Sequence, residues 1–82
     1  MNRYIIIEYI KKINRNDIIN YANKQGISLN NDEVETIYYY IKHEYNRLIN
    51  KDESLLEEIK DKLNNNAYNY IKDMYYKYNK LI

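Results

Sequence analysis

The sequence predicts an all-α protein, a bundle of four to five short helices around a longer third helix, on three observations. Apolar residues recur at spacings of three and four along most of the chain, the signature of amphipathic helix. Asparagine precedes three of these runs with an acid three positions on, in Asn14-x-x-Asp17, Asn30-x-x-Glu33 and Asn50-x-x-Glu53, the arrangement of a capping box that satisfies the open amides of a first turn. Proline is absent and the one glycine is Gly26, so caps and periodicity set the helix ends. At 82 residues there is room for one domain, residues 1 to 82, which removes only about 60% of its unfolded surface from water.

The first helix, over 3–13, places Ile6, Tyr9, Ile10 and Ile13 on one face, with Tyr4, Ile5 and Ile7 off it. A second, after Asn14, carries Ile18, Ile19 and Ala22 and ends at Gly26, whose tolerance of positive φ suits a C-cap. Ile27-Ser28-Leu29 reads as a short extended connector with two apolar pins. The third helix, over 31–49, lines up Val34, Ile37, Tyr38, Ile41, Tyr45 and Leu48 and forms the expected centre of the fold. A fourth, over 51–63, buries Leu55, Leu56, Ile59 and Leu63 while Glu57, Lys60 and Asp61 face water. A fifth follows Asn64-Asn65-Asn66 and presents Ala67, Tyr68, Ile71, Met74, Tyr75 and Tyr78. The β-friendly clusters Tyr4 to Ile7 and Tyr38 to Tyr40 lack alternation and a neighbouring hairpin turn, so both are assigned to helix.

Composition narrows the function classes. Without cysteine there is no disulfide framework and no thiolate zinc site, and a cytosolic setting is compatible. Glu8, Lys11 and Lys12 cut the apolar start well short of the roughly 20 residues of a membrane span. No small-residue cleavage site follows it, so the expectation is a cytoplasmic protein without membrane contact. Formal charge is +1 and evenly spread, five bases against five acids in residues 1–41 and eight against seven in 42–82. That is no footprint for a duplex-binding protein. Asn, Ile, Lys and Tyr dominate, all residues with AT-rich codons, which points to a low-GC genome.

No catalytic residue is assigned. His43 is the only histidine, and Ser28 and Ser54 have no base at a useful spacing, whereas a nucleophile needs a base within hydrogen-bond reach. No metal is expected either, since His43 lacks a carboxylate or histidine three or four positions away. The acids of residues 50–58 lack the glycine of a calcium loop. One glycine cannot build a phosphate loop, so neither a cofactor nor a small-molecule substrate is expected.

The twelve tyrosines are the only aromatic residues. Tyr9, Tyr38, Tyr45, Tyr68, Tyr75 and Tyr78 align with the aliphatic stripes and are assigned to the core, whereas Tyr39, Tyr40, Tyr70 and Tyr76 do not align. Apolar and aromatic residues off the stripes mark a contact surface for another protein or a second copy, expected at Tyr4, Ile5, Ile7, Tyr39 and Tyr40. The alternative is single-stranded nucleic acid held by Lys72, Tyr76 and Lys80, four residues apart on one face of the last helix, where a ring could stack a base between ammonium groups.

Residues 14–41 carry a capped short helix, Asp17-Ile18-Ile19-Asn20-Tyr21-Ala22, then Gly26-Ile27-Ser28-Leu29, then a second cap and Val34-x-x-Ile37. Together with Asn46-x-Leu48-Ile49-Asn50, Leu55-Leu56-x-x-Ile59 and the closing Tyr75-Tyr76-x-Tyr78, this pattern resembles the YqfT-like family of small proteins from Bacillus-type bacteria. The resemblance covers most of the chain. It implies a cytoplasmic helical protein of a low-GC Gram-positive bacterium and brings no known activity.

Overall fold

A computed structural model describes residues 3–80, except for the side chains of Arg3, Tyr78 and Asn79. The core assignment of Tyr78 therefore falls outside the described side chains. Among the described residues there are six helices and no strand: α1 (Arg3–Lys12), α2 (Arg15–Lys24), α3 (Asn31–His43), α4 (Tyr45–Ile49), α5 (Ser54–Lys60) and α6 (Asn65–Asn79). The protein is all-α, as its periodicity predicts. Helices α1 and α2 pack on α3, α1 also meets α4, and α6 packs on α4 and α5.

Two of the three expected capping boxes form. Asn14 Oδ1 accepts from Asp17 N–H at 2.9 Å and the Asp17 carboxylate accepts from Asn14 N–H at 3.0 Å, fixing the start of α2. Helix α2 ends where Gly26 enters the left-handed region at φ 74°. There Gly26 N–H donates to Asn23 O and Ile27 N–H to Ala22 O, the paired bonds of a Schellman motif. Ile27 and Leu29 then pack against the core, as expected of the connector.

The second box, at α3, does more than its sequence suggests. Glu33 Oε1 accepts from Asn30 N–H at 3.0 Å, while its Oε2 accepts from Asn64 N–H at 2.8 Å. Asn64 caps α6 through Ala67 N–H, but the position that would return a carboxylate is Ala67, itself fully buried. Glu33 supplies that carboxylate from another helix. It is the one charged residue buried among the described residues, at 4% exposure, and its two oxygens sit at two helix N-termini, whose amides favour negative charge.

The third box does not form, because Asn50 closes α4 instead of opening α5. Lys51 takes φ 59°, with Lys51 N–H bonded to Leu48 O and Asp52 N–H to Arg47 O, a second Schellman reversal with lysine in the glycine position. Helix α5 then begins at Ser54, whose backbone N–H and hydroxyl both donate to Asp52 Oδ1. The expected third helix also divides. Glu44, at φ −123° and ψ 17°, breaks it into α3 and α4, so that α6, with 15 residues, is longer than α3, with 13. The break lets α4 bury Ile49 and swing Arg47 toward α5.

The main core joins Ile18, Ile37, Leu55, Leu56, Ile59, Leu63, Ala67 and Tyr75. Tyr38 and Tyr68 pack partly buried against it, and Tyr45 is half-buried. Two expected core residues lie outside: Tyr9 is 51% exposed and Ile19 is also exposed. On α1 the pair Ile6 and Ile10 fills the buried stripe, and Tyr9 is turned to the rim, where its hydroxyl meets that of Tyr21 on α2 at 2.7 Å.

Candidate functional site

Helix α1 places its surplus apolar side chains in water. Tyr4 is 78% and Ile5 61% exposed, whereas Ile7 is half-buried. Ile5 and Tyr9 stand one turn apart, with Glu8 and Lys12 exposed on the same side, as the spacing of three and four requires. Tyr21, also exposed, carries this face onto α2 through the Tyr9 contact.

Tyr39 and Tyr40 have parted roles. The Tyr39 ring is 52% exposed, edge-on to Tyr40 at 5.5 Å and tilted over His43 at 5.0 Å. Tyr40 is packed against the core and donates its hydroxyl to Glu58 Oε1 at 2.7 Å. Burial, and then the Glu58 carboxylate, push its hydroxyl up to about 12. Glu35, Thr36, Tyr39, Tyr40 and Lys62 line a shallow open depression there.

Behind Tyr40 lies a polar cluster that the sequence did not reveal. The Arg47 guanidinium reaches Glu58 at 2.7 Å, Asp52 at 3.2 Å and Glu44 at 3.7 Å, and donates to the Ser54 hydroxyl. The bond from Tyr40, then Arg47, holds the Glu58 carboxyl below its ordinary value. Ser54, more than Arg47, does the same for Asp52. Three carboxylates around one guanidinium make this corner self-contained: each carboxylate faces the cation, and Arg47 is held as its centre. Its only sequence signal was the mixture of acids near Arg47, and the breaks at Glu44 and Lys51 that assemble it leave no mark in periodicity.

Lys72 and Tyr76 are exposed on α6, whereas Lys80, also exposed, lies past the end of that helix at Asn79, so the last helix carries only two of the three residues expected on one of its faces. Tyr76 donates to Glu53 Oε1 at 3.2 Å and lies edge-on to Tyr75. Burial of its hydroxyl and the neighbouring Glu53 raise its pKa above the ordinary tyrosine value. A carboxylate at that hydroxyl opposes a phosphate arriving on the same face. His43 is exposed, and the helix break directs Arg47 away into the cluster described above. Among the described residues no group of three or more histidines and carboxylates is arranged to hold a metal.

The fold and surface thus define a small all-helical protein whose most apolar exposed element is its first helix. Comparison with protein-family models, curated proteins and solved structures gave no match.

Proposed function

We propose that this chain is a small interaction domain, without a reaction of its own, that meets a protein partner or a second copy through the outer face of α1. The observation that carries the reading is Ile5, 61% exposed between Tyr4 and Tyr9 on a helix that already buries Ile6 and Ile10. Scattered apolar residues are normal on a surface, but a contiguous group marks a contact site. Covering an isoleucine is worth about 1.5–3 kcal/mol, and tyrosine rings add contact area with few rotamers to freeze. Tyr39 forms a second, smaller aromatic edge on α3, whereas Tyr40 and Ile7 serve mainly the interior.

The same reading makes the protein cytoplasmic and related to the YqfT-like family. Its supports are the capped pattern of residues 14–41 and the lack, among the described residues, of a helix long and apolar enough to cross a membrane.

The test is Ile5→Lys, with Ile7 left in place because it is half-buried. The variant should keep the helical circular dichroism and melting temperature of the parent. Captured from lysate as tagged protein, it should lose the associated proteins that the parent retains, or, where the occupant is a second copy, lose the self-association that the parent shows at high concentration. Equal retention of captured proteins and equal self-association at high concentration by parent and variant would together sink the reading.

A further inference from the structure

We propose that the occupant of the α1 face is a second copy of this chain, paired through antiparallel α1 helices about a two-fold axis; the inference rests on the contact surface proposed above. The argument is the order of side chains along the stripe. Ile5, Glu8, Tyr9 and Lys12 are all exposed on one side of α1, and they carry one negative and one positive charge among apolar groups. An antiparallel copy reverses that order. With the axis between Glu8 and Tyr9, the copy's Lys12 stands opposite Ile5, about 4.5 Å along the helix from Glu8 at 1.5 Å per residue.

Each Glu8 therefore comes within reach of the other copy's Lys12, twice by symmetry, while Ile5 is covered by the copy's Tyr9 ring and by the methylene stem of its Lys12. A two-fold interface is built from one patch that complements itself, and the order of charges along this stripe does so. A strongly acidic or basic partner would instead favour a stripe of a single sign. The net charge of +1 sets no repulsion against pairing. Within the monomer Glu8 makes a loose contact to Lys11 at 3.9 Å, with both side chains more than half exposed, so it can turn to Lys12 of the copy at little cost.

The face is small. A stable interface uses roughly 20–30 residues a side, and α1 has ten residues in all, so the dimer forms at high concentration, about 0.1–1 mM.

Sedimentation equilibrium at low ionic strength tests this. The parent should rise from 10.2 kDa toward twice that mass over this range. Glu8→Lys and Lys12→Glu, each shown folded by circular dichroism, should remain monomeric, because each places like charges at both contacts. Mixed in equal amounts they should dimerise again, since one chain then carries two positive charges on the stripe and the other two negative, and both contacts regain opposite signs. A parent that stays at monomer mass to ~1 mM overturns the second copy; the contact surface itself still stands if Ile5→Lys loses captured proteins. Single variants that dimerise like the parent, or a mixture that stays monomeric, overturn the antiparallel arrangement.

Discussion

Two of the polar junctions that join helix ends among the described residues differ in what surrounds them. At one, Glu33 lies buried and spends both oxygens on the backbone amides of Asn30 and Asn64, at the N-termini of α3 and α6. At the other, Arg47 gathers Glu44, Asp52 and Glu58 where α4 turns into α5, but each of those side chains keeps between about a quarter and a half of its surface in water. The first has fewer partners and the greater weight. Loss of a buried charged acceptor leaves its part-buried donors poorly hydrated, whereas groups at a wet junction recover solvent when they part.

The difference is broken most directly at Glu33. Glu33→Ala should lose about 2–3 kcal/mol of unfolding free energy, since two part-buried amides at helix N-termini lose a charged acceptor together. Glu33→Gln keeps one oxygen acceptor and turns an amino group toward the other amide, so it should recover only part of the loss. Urea unfolding measures both, and a loss under about 1 kcal/mol for the alanine variant would mean that water replaces the carboxylate.

Tyr75 sharpens the point from the opposite side. It is as buried as Glu33, at 3% exposure, but its hydroxyl has no partner among the described residues. Burial without a partner costs free energy, so Tyr75→Phe should gain about 1–1.5 kcal/mol. A destabilised phenylalanine variant would show that the hydroxyl is bonded through water.

Lys51 belongs to the Arg47 junction and holds it at a cost. A side chain at φ 59° is disfavoured by about 1 kcal/mol or somewhat more relative to glycine. Lys51→Gly should raise stability by up to about 1 kcal/mol, offset in part by greater freedom of the unfolded chain, and should leave the α4–α5 turn unchanged in amide chemical shifts.

These two junctions also divide what the sequence discloses from what it does not. Asn14 and Asn30 announce α2 and α3 because a capping box is local, and Gly26 announces the end of α2 for the same reason. Asn50 misleads, since the same side chain fits either end of a helix and the decision falls to Lys51, a residue with no preference for the left-handed region. The second bond of Glu33 spans 31 residues, beyond any pattern of three and four, although Ala67 standing where a cap acid belongs was a readable gap. On α1 the exposed Tyr4 and Ile5 follow from periodicity, whereas Tyr9 sits at the edge of the buried stripe, where helical spacing alone cannot choose between core and rim. The Arg47 cluster depends on two backbone breaks and so was not legible.

The smallest effect at neutral pH, and the one that separates the junctions by a different variable, is titration. Asp52 and Glu58 have folded pKa values below their ordinary ones, so the fold binds their protons less readily than the unfolded chain does. Their contribution is therefore present above the unfolded carboxylate range near pH 4 and is lost as pH falls through the lower folded values. Tyr40 runs the other way: raised to about 12 by burial and by Glu58, it stabilises the fold below pH 10 and loses that contribution as pH climbs from 10 to 12. Glu58→Gln removes the carboxylate from both ends of this window. Its stability should respond less than the parent's to acid below pH 4, and its Tyr40 should ionise earlier in an absorbance titration at alkaline pH. Profiles that coincide with the parent's at both extremes would show that the cluster is held by packing of Tyr40 and the stem of Arg47, with its charges contributing nothing to the joint between α4 and α5.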